Sequence, residues 1–408
     1  MSDATDILIV GGGLNGPALG LALAQAGLRA TVIDNRPDLA RAEAGFDGRA
    51  YALAQASRRL LTAIGVWPAV GHLAQPIRRI VASDGRPAEG AAPFFLDFSS
   101  DEIEEGPMGW ILEDRHLFAA FRDRMAAVPG LTHLPGETVV AQQTGPAGAS
   151  VTLASGRVLT GRVIVGADGR GSGTATRAGI RRQGWTYGQT ALVAAIAHDR
   201  PHDGVAHQLF LPSGPLAILP LPGNVSSIVW SERDDTARAI AALDDDDFLT
   251  ALRPRFGDFL GAIRLAGDRF SYPLSLSLAE RYVAPRLALV GDAAHGVHPL
   301  AGQGLNLGLR DVAALAQVLV AARRRGEDPG APDVLDRYRT WRRGDATLLA
   351  LGMDAMNRLF SNDNPILRLG RDLGLAAVAA APALRRGFIR QAAGLSGDLP
   401  VLLTGRAL

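Results

Sequence analysis

Cysteine is missing from the 408-residue chain, and so is lysine: all 42 basic side chains are arginine. Without thiols there can be no disulfides, thiolate nucleophiles, zinc ribbons or iron–sulfur ligands, a composition that fits a reducing compartment. Without lysine there is no Schiff base and no Walker-type phosphate lysine. An excess of one charge is missing too, since 41 acids leave a net charge of +1, and no nucleic-acid partner is expected from that balance. No apolar run reads as a membrane span. Leu373 to Leu384 is broken by Pro382 and falls short of the roughly 20 residues a span needs. Ile7 to Ala24 has Asp3 and Asp6 where a signal peptide is basic, and Gly11, Gly12, Gly13, Gly16, Pro17 and Gly20 interrupt it. What remains is globular, 47% hydrophobic, and long enough for two or three structural units. With so few protein nucleophiles, difficult chemistry falls by default to a bound cofactor.

The first 34 residues carry the clearest motif. Asp6-Ile7-Leu8-Ile9-Val10 reads as a strand, Gly11, Gly13 and Gly16 form G-x-G-x-x-G, a helix runs to about Gly27, and Ala30 to Ile33 delivers Asp34. This is the dinucleotide-binding βαβ unit, with glycines that admit a pyrophosphate to the helix start and an acid placed for an adenosine ribose. The acid disfavours NADP, and Arg36 nearby leaves that open.

Phe46 to Leu53 leads into a helix through Leu60, Leu61 and Ile64, with Arg49 as a surface arginine or a phosphate contact. The acidic run Asp101 to Glu105 reads as a solvated loop, and Asp114 as the N-cap of a helix from Arg115 to Ala127. Arg162 to Val165 is a buried strand ending in Gly166-Ala167-Asp168-Gly169, either a plain turn or a ligand loop. Residues 183–270 alternate as short strands, suggesting an inserted antiparallel sheet, and Asp244 to Asp247 open a helix. Leu287 to Asp311 reads as strand, glycine-punctuated polar loop and amphipathic helix, a layout that presents backbone N–H groups to a flat or anionic ligand. His295 and His298 have i, i+3 spacing, but Gly296 and Pro299 break the loop and no third neutral ligand follows, so no metal is expected. Val334 to Phe360 reads as one helix with Arg342 and Arg343 exposed, Pro365 restarts another, and the basic end through Arg385, Arg386, Phe388, Ile389 and Arg390 suits helix packing or an interface.

Taken together, the βαβ unit, the Gly166 to Gly169 turn and the run His298-Pro299-Leu300-Ala301-Gly302-Gln303-Gly304-Leu305-Asn306-Leu307-Gly308-Leu309-Arg310-Asp311 resemble the single-component FAD aromatic hydroxylases built like p-hydroxybenzoate hydroxylase. The long His-Pro run is specifically similar to the ubiquinone-biosynthesis hydroxylases of the UbiH/UbiF/UbiL type, and the resemblance covers essentially the whole chain. It implies an α/β fold in which a Rossmann-like FAD-binding domain (1–75, 107–182 and 271–345) carries an inserted, mainly antiparallel β-sheet substrate domain (76–106 and 183–270) and C-terminal helices (346–408). It implies that Gly11, Gly13, Gly16 and Asp34 hold the ADP half of FAD with support from Arg49 and Arg115. Asp168 and Gly169 would lie near the pyrophosphate and the nicotinamide approach, Asp292 at the ribityl chain, and Pro299, Gly302, Gly304, Leu305 and Asn306 along the isoalloxazine. His298 and Pro299 would line the reaction pocket, and no residue stands out as a general base.

One position departs from the subgroup: Ala175 stands where an arginine is usual, three residues after Ser172, with Arg177 displaced. This bears on the electron donor, NAD(P)H or a reductase protein. The reaction implied is hydroxylation of a polyprenylated phenol with O2 through a flavin C4a-hydroperoxide. The setting implied is cytoplasmic, with peripheral contact to the inner membrane and a quinone-biosynthesis assembly as further partners. A hydroxylase of small soluble aromatics and a non-catalytic FAD-binding subunit are the alternatives; a flavin halogenase would need a lysine.

Overall fold

The structure is a computed structural model and describes residues 5–37, 49–86, 90–299, 302–361 and 381–408. Phe46, Asp47, Gly48, Leu300, Ala301, the helix expected at Pro365 and most of the Leu373 to Leu384 run lie outside these residues.

The expected βαβ unit forms as Ile7–Val10, helix α1 (Asn15–Gln25) and Ala30–Asp34, the two strands parallel with Ile7 opposite Ala30. Both strands are buried along their whole length, which is why they read as unbroken apolar runs and not as alternating ones. Val163–Gly166 pairs in parallel on the other side of Ile7–Val10, and Leu287–Leu289 pairs in parallel beyond it. Leu131–Pro135 and the short Val283–Ala284 complete the six-stranded sheet. The loops that start at Gly11, Ala167 and Val290 therefore all leave the carboxyl edge of neighbouring parallel strands, where open α/β sheets take ligands.

Helix α2 (Gln55–Ala63) follows the strand Ala50–Ala54. Helix α3 spans Asp114–Ala127, so Asp114 is its first residue; Glu113 takes the N-cap position and makes no side-chain cap bond. Sequence spacing alone misplaced that boundary by one residue. A nine-stranded, mainly antiparallel sheet draws its strands from residues 79–99, 182–233 and 263–296. Val205–Leu211 pairs in parallel with Arg79–Arg86 and antiparallel with Gly214–Leu221. One face is sealed by helix α4 (Asp245–Phe256), whose Phe248, Leu252 and Phe256 bury against Ile218, Ile228 and Trp230. Asp244 accepts the Asp247 N–H at 2.9 Å and caps that helix.

Helix α5 (Gln303–Arg324) is long and apolar enough to cross a membrane, but it is mostly buried in the core. It crosses α1 so closely that a Cβ on Gly308 would meet the Asn15 amide at 2.4 Å. Helix α6 (Pro332–Phe360) packs on α5, and α7 (Pro382–Ala392) closes the chain's helical end.

The expectation that Arg342 is exposed fails. Arg342 is 3% exposed; its Nε donates to Asp311 at 2.9 Å and its Nη1 to Asp345 at 2.5 Å. Asp311 is fully buried on α5, and a buried carboxylate needs a cation where α6 crosses it. Arg342→Leu should therefore destabilise the fold by about 3–5 kcal/mol, whereas Arg343→Leu, on the exposed face, should leave the urea-unfolding midpoint unchanged.

Candidate functional site

A cleft of about 1240 Å³ runs between the six-stranded sheet's carboxyl edge, the bare face of the nine-stranded sheet and the ends of α6 and α7. Gly11 opens it with φ +116°, and a Cβ there would strike the Ala167 carbonyl oxygen at 2.3 Å. Only glycine allows that turn. Gly16 is buried behind it, its Cβ position 1.9 Å from the Gly11 carbonyl, while Gly13 faces open space. Helix α1 has Leu14 at its N-cap and no side-chain cap bond, so its first N–H groups need a partner from outside the helix. Asp34, 4% exposed overall, forms part of the same wall and accepts the Arg36 N–H at 3.2 Å.

Asp168 and Gly169 lie on the adjoining wall. The Asp168 carboxylate is taken by its own loop, accepting from Ser172 Oγ at 2.5 Å and from the Thr174 N–H at 2.9 Å. It shapes the turn and starts the short helix Gly173–Arg177. Arg177 reaches the cleft wall itself, folded over Gly173 and donating to Gln142 Oε1 at 3.2 Å; burial holds its pKa below the ordinary value, against the pull of Asp168.

Two arginines brace the third wall, and the sequence offered no pattern that singled them out. Arg170 donates to Asp292 at 3.2 Å and to the Val297 carbonyl at 2.6 Å. Arg182 holds the carbonyls of Asp292 at 2.8 Å and Ala293 at 2.5 Å. Asp292, Pro299, Gly302, Gly304 and Leu305 then line the cleft. Gly302, at φ +62°, sits against the Ala52 side chain and begins α5, again without a side-chain cap.

Other expected residues lie off the wall. Asn306 is buried, accepting from the Ala54 N–H at 2.9 Å and Ser57 Oγ at 2.7 Å and donating to the Ala52 carbonyl at 2.8 Å. It ties the start of α5 to the strand and helix beside the cleft. Arg49 lies over the Phe270 ring at 5.4 Å, and Arg115 pairs with Glu113 at 2.7 Å; neither forms part of the cleft wall.

The two histidines part company. His295 is fully buried, its Nε2 2.5 Å from Asp311. His298 is turned away from the cleft while its neighbours Val297 and Pro299 line it. It packs edge-on to Tyr187 at 5.1 Å, and neither ring nitrogen has a partner among the described residues. It therefore backs the wall and does not line the pocket. Among the described residues no three His, Asp or Glu side chains converge to hold a metal.

The acidic run is not simply solvated: Glu102 pairs with Arg385, and Glu105 with Arg390 at 2.7 Å. These pairs dock α7, which gives Phe388, Ile389 and Ala392 to the cleft.

These features fit FAD. The glycine turn with an uncapped helix start suits its pyrophosphate, the buried acid at a strand end suits its ribose, and the second uncapped helix start suits an electron-rich ring. Gly11→Ala should cost about 1–3 kcal/mol from φ strain alone, more with the carbonyl clash, read by thermal unfolding. Burial, reinforced by Arg170 and opposed by Asp354, pushes the His298 pKa down to about 4 from 6.5. The unfolded chain thus takes up the proton first, and stability is full above pH 6.5 and falls towards pH 4. His298 contributes on the order of 3 kcal/mol of that loss, and His298→Phe should remove this share from unfolding curves taken across that window, while His207, which burial also lowers to about 4, keeps part of the pH dependence.

A family model described as the FAD binding domain matches residues 4–350. Ubiquinone hydroxylase UbiL of Rhodospirillum rubrum is 47% identical over 403 residues, 98% of this chain and 92% of that protein. The 3-demethoxyubiquinol 3-hydroxylase of Escherichia coli is 36% identical, covering 96% of this chain and 99% of that one. Among solved structures, p-nitrophenol 4-monooxygenase PnpA of Pseudomonas putida superposes with a TM-score of 0.81 over 98% of this chain and 100% of that one; at 18% identity it speaks to the fold alone. With the glycine turn, the buried acid and Pro299, Gly302, Gly304 and Leu305 of the His-Pro run on one cleft wall, the chain belongs to the ubiquinone-hydroxylase family of FAD-binding monooxygenases, with the p-hydroxybenzoate hydroxylase type of fold.

Proposed function

We propose that this FAD-dependent hydroxylase acts on the aromatic ring of a polyprenylated phenol in ubiquinone biosynthesis, and that the residues around the cleft divide the work as follows. Gly11, Gly13 and the start of α1 take the pyrophosphate, with Gly16 closing the turn behind them, and Asp34 takes the adenosine ribose. Asp292 takes the ribityl chain, and Pro299, Gly302, Gly304 and Leu305 lie along the isoalloxazine. When bound and reduced, FAD supplies the activation of O2 that no side chain here can provide. The chain's own contribution is to bind, orient and keep dry. The positive end of α5 favours charge on the reduced ring, and Asn306 holds that helix start in place from behind.

The observation that carries the reading is one continuous cleft: nucleotide-binding glycines at one end, and at the other an apolar wall that includes Ile80, Leu96, Phe98, Phe210 and Leu219. Such a wall suits a prenylated ring better than a small, soluble, charged aromatic. Leu348, Leu351, Met356, Leu359, Leu384 and Phe388 are exposed on α6 and α7, and Arg386 is exposed on α7 with them. That combination favours peripheral contact with an anionic membrane surface from which a tail could enter. Arg177 on the cleft wall, in place of the usual arginine at Ala175, is where we place the contact with the electron donor, NAD(P)H or a reductase protein.

Asp34→Ala should weaken FAD binding about 10–100-fold, the loss of charged hydrogen bonds to a ribose, measured by flavin fluorescence on titration. For the reaction, photoreduced holoprotein mixed with O2 and a 2-prenylphenol should yield a product one oxygen heavier. Hydrogen peroxide alone, with every prenylated phenol tried, would overturn the substrate assignment.

A further inference from the structure

Where it lines the cleft, the bare face of the nine-stranded sheet is mainly apolar, and its polar exceptions include Gln208 near the middle and Tyr272 on the strand Phe270–Ala279. Strand register sets Val193, Val229, Ala217, Gln208, Ala82 and Leu96 in one row across six strands. From Val229 to Leu96 this row lines the cleft. Gln208 is its one hydrogen-bonding side chain, half-buried, and no described residue bonds its amide. An amide with no protein partner on an apolar wall is costly unless a ligand or water satisfies it.

Its neighbours locate it. Ala206, two residues before and on the same face, belongs to an apolar cluster with Ala50 and Ala52, and Ala52 touches Gly302 at the start of α5. Phe210, two residues after, packs on Phe360 of α6 with ring centroids 4.2 Å apart. Gln208 thus lies between the side of the cleft that ends at the Gly302 loop and the side that ends among the exposed apolar residues of α6 and α7.

We propose that Gln208 is the positioning residue for the substrate ring. Its carbonyl accepts the phenolic O–H, and its NH2 donates to an oxygen substituent on the adjacent carbon. It thereby fixes which ring carbon faces the Gly302 loop, with the tail running past Phe210 and Phe360. This assignment rests on the prenylated-phenol reading above.

The test uses holoprotein and two probes of equal tail, 2-geranylphenol and geranylbenzene, with binding followed through the flavin absorbance. Native protein should prefer the phenol by roughly tenfold, as expected for one buried hydrogen bond. Gln208→Leu should keep its FAD and its affinity for geranylbenzene, lose the preference, and release hydrogen peroxide in place of hydroxylated product when reduced and exposed to O2. A variant that retains the preference and the product yield overturns the Gln208 assignment alone. Native protein that binds neither probe overturns the substrate class and the assignment with it.

Discussion

A single buried carboxylate holds the centre of this protein together. Asp311 has no exposure, yet it is kept below the usual carboxylate range: burial pushes its pKa up, and His295 and Arg342 outweigh that. It accepts from the Gly291 N–H at 3.0 Å, from Arg342 at 2.9 Å, and lies 2.5 Å from His295. Those partners come from the loop after Leu289, from the same loop four residues on, and from α6. One side chain on α5 therefore fixes both the loop that brings Asp292 to the cleft wall and the helix whose far end closes the cleft. A neutral substitute would leave the buried Arg342 with only the half-exposed Asp345 as its anion and His295 without its carboxylate.

The parts of the fold written in local pattern were open to reading from the chain. The strand, glycine turn, helix and acid from Ile7 to Asp34 follow one another without interruption, and each signal is a short-range steric or hydrogen-bonding requirement. The cleft-side residues of the Asp292 to Leu305 loop were legible for the same reason, aided by a family resemblance. Residues whose role depends on what crosses them were not. Arg342 looked exposed because helical spacing cannot show that α6 lays that face against Asp311. His298 looked like a pocket residue because it precedes Pro299, but an extended segment turns alternate side chains to opposite sides. The acids at Glu102 and Glu105 looked solvated because their arginine partners lie some 285 residues further on. Arg170 and Arg182 were invisible among so many arginines, since what marks them is the carbonyls they reach.

The absence of lysine also shapes how the chain is held. Cations at interior junctions are guanidinium groups, which spread several donors in a plane. Arg182 uses that fork to hold two consecutive carbonyls, and Arg170 to join a carboxylate and a carbonyl. A single ammonium could not span these acceptors with the same geometry. The walls of the cleft are thus pinned through their backbone, leaving side chains such as Pro299 and Leu305 free to present an apolar surface.

Helix α6 has one further consequence. It carries Arg342 against Asp311 and, five turns later, Phe360 against Phe210 in the cleft. At 1.5 Å per residue these points lie roughly 27 Å apart along one rod. One unbroken helix therefore carries both the clamp on the loop after Leu289 and part of the far wall of the cleft, so the spacing between the two is set by the helical rise alone.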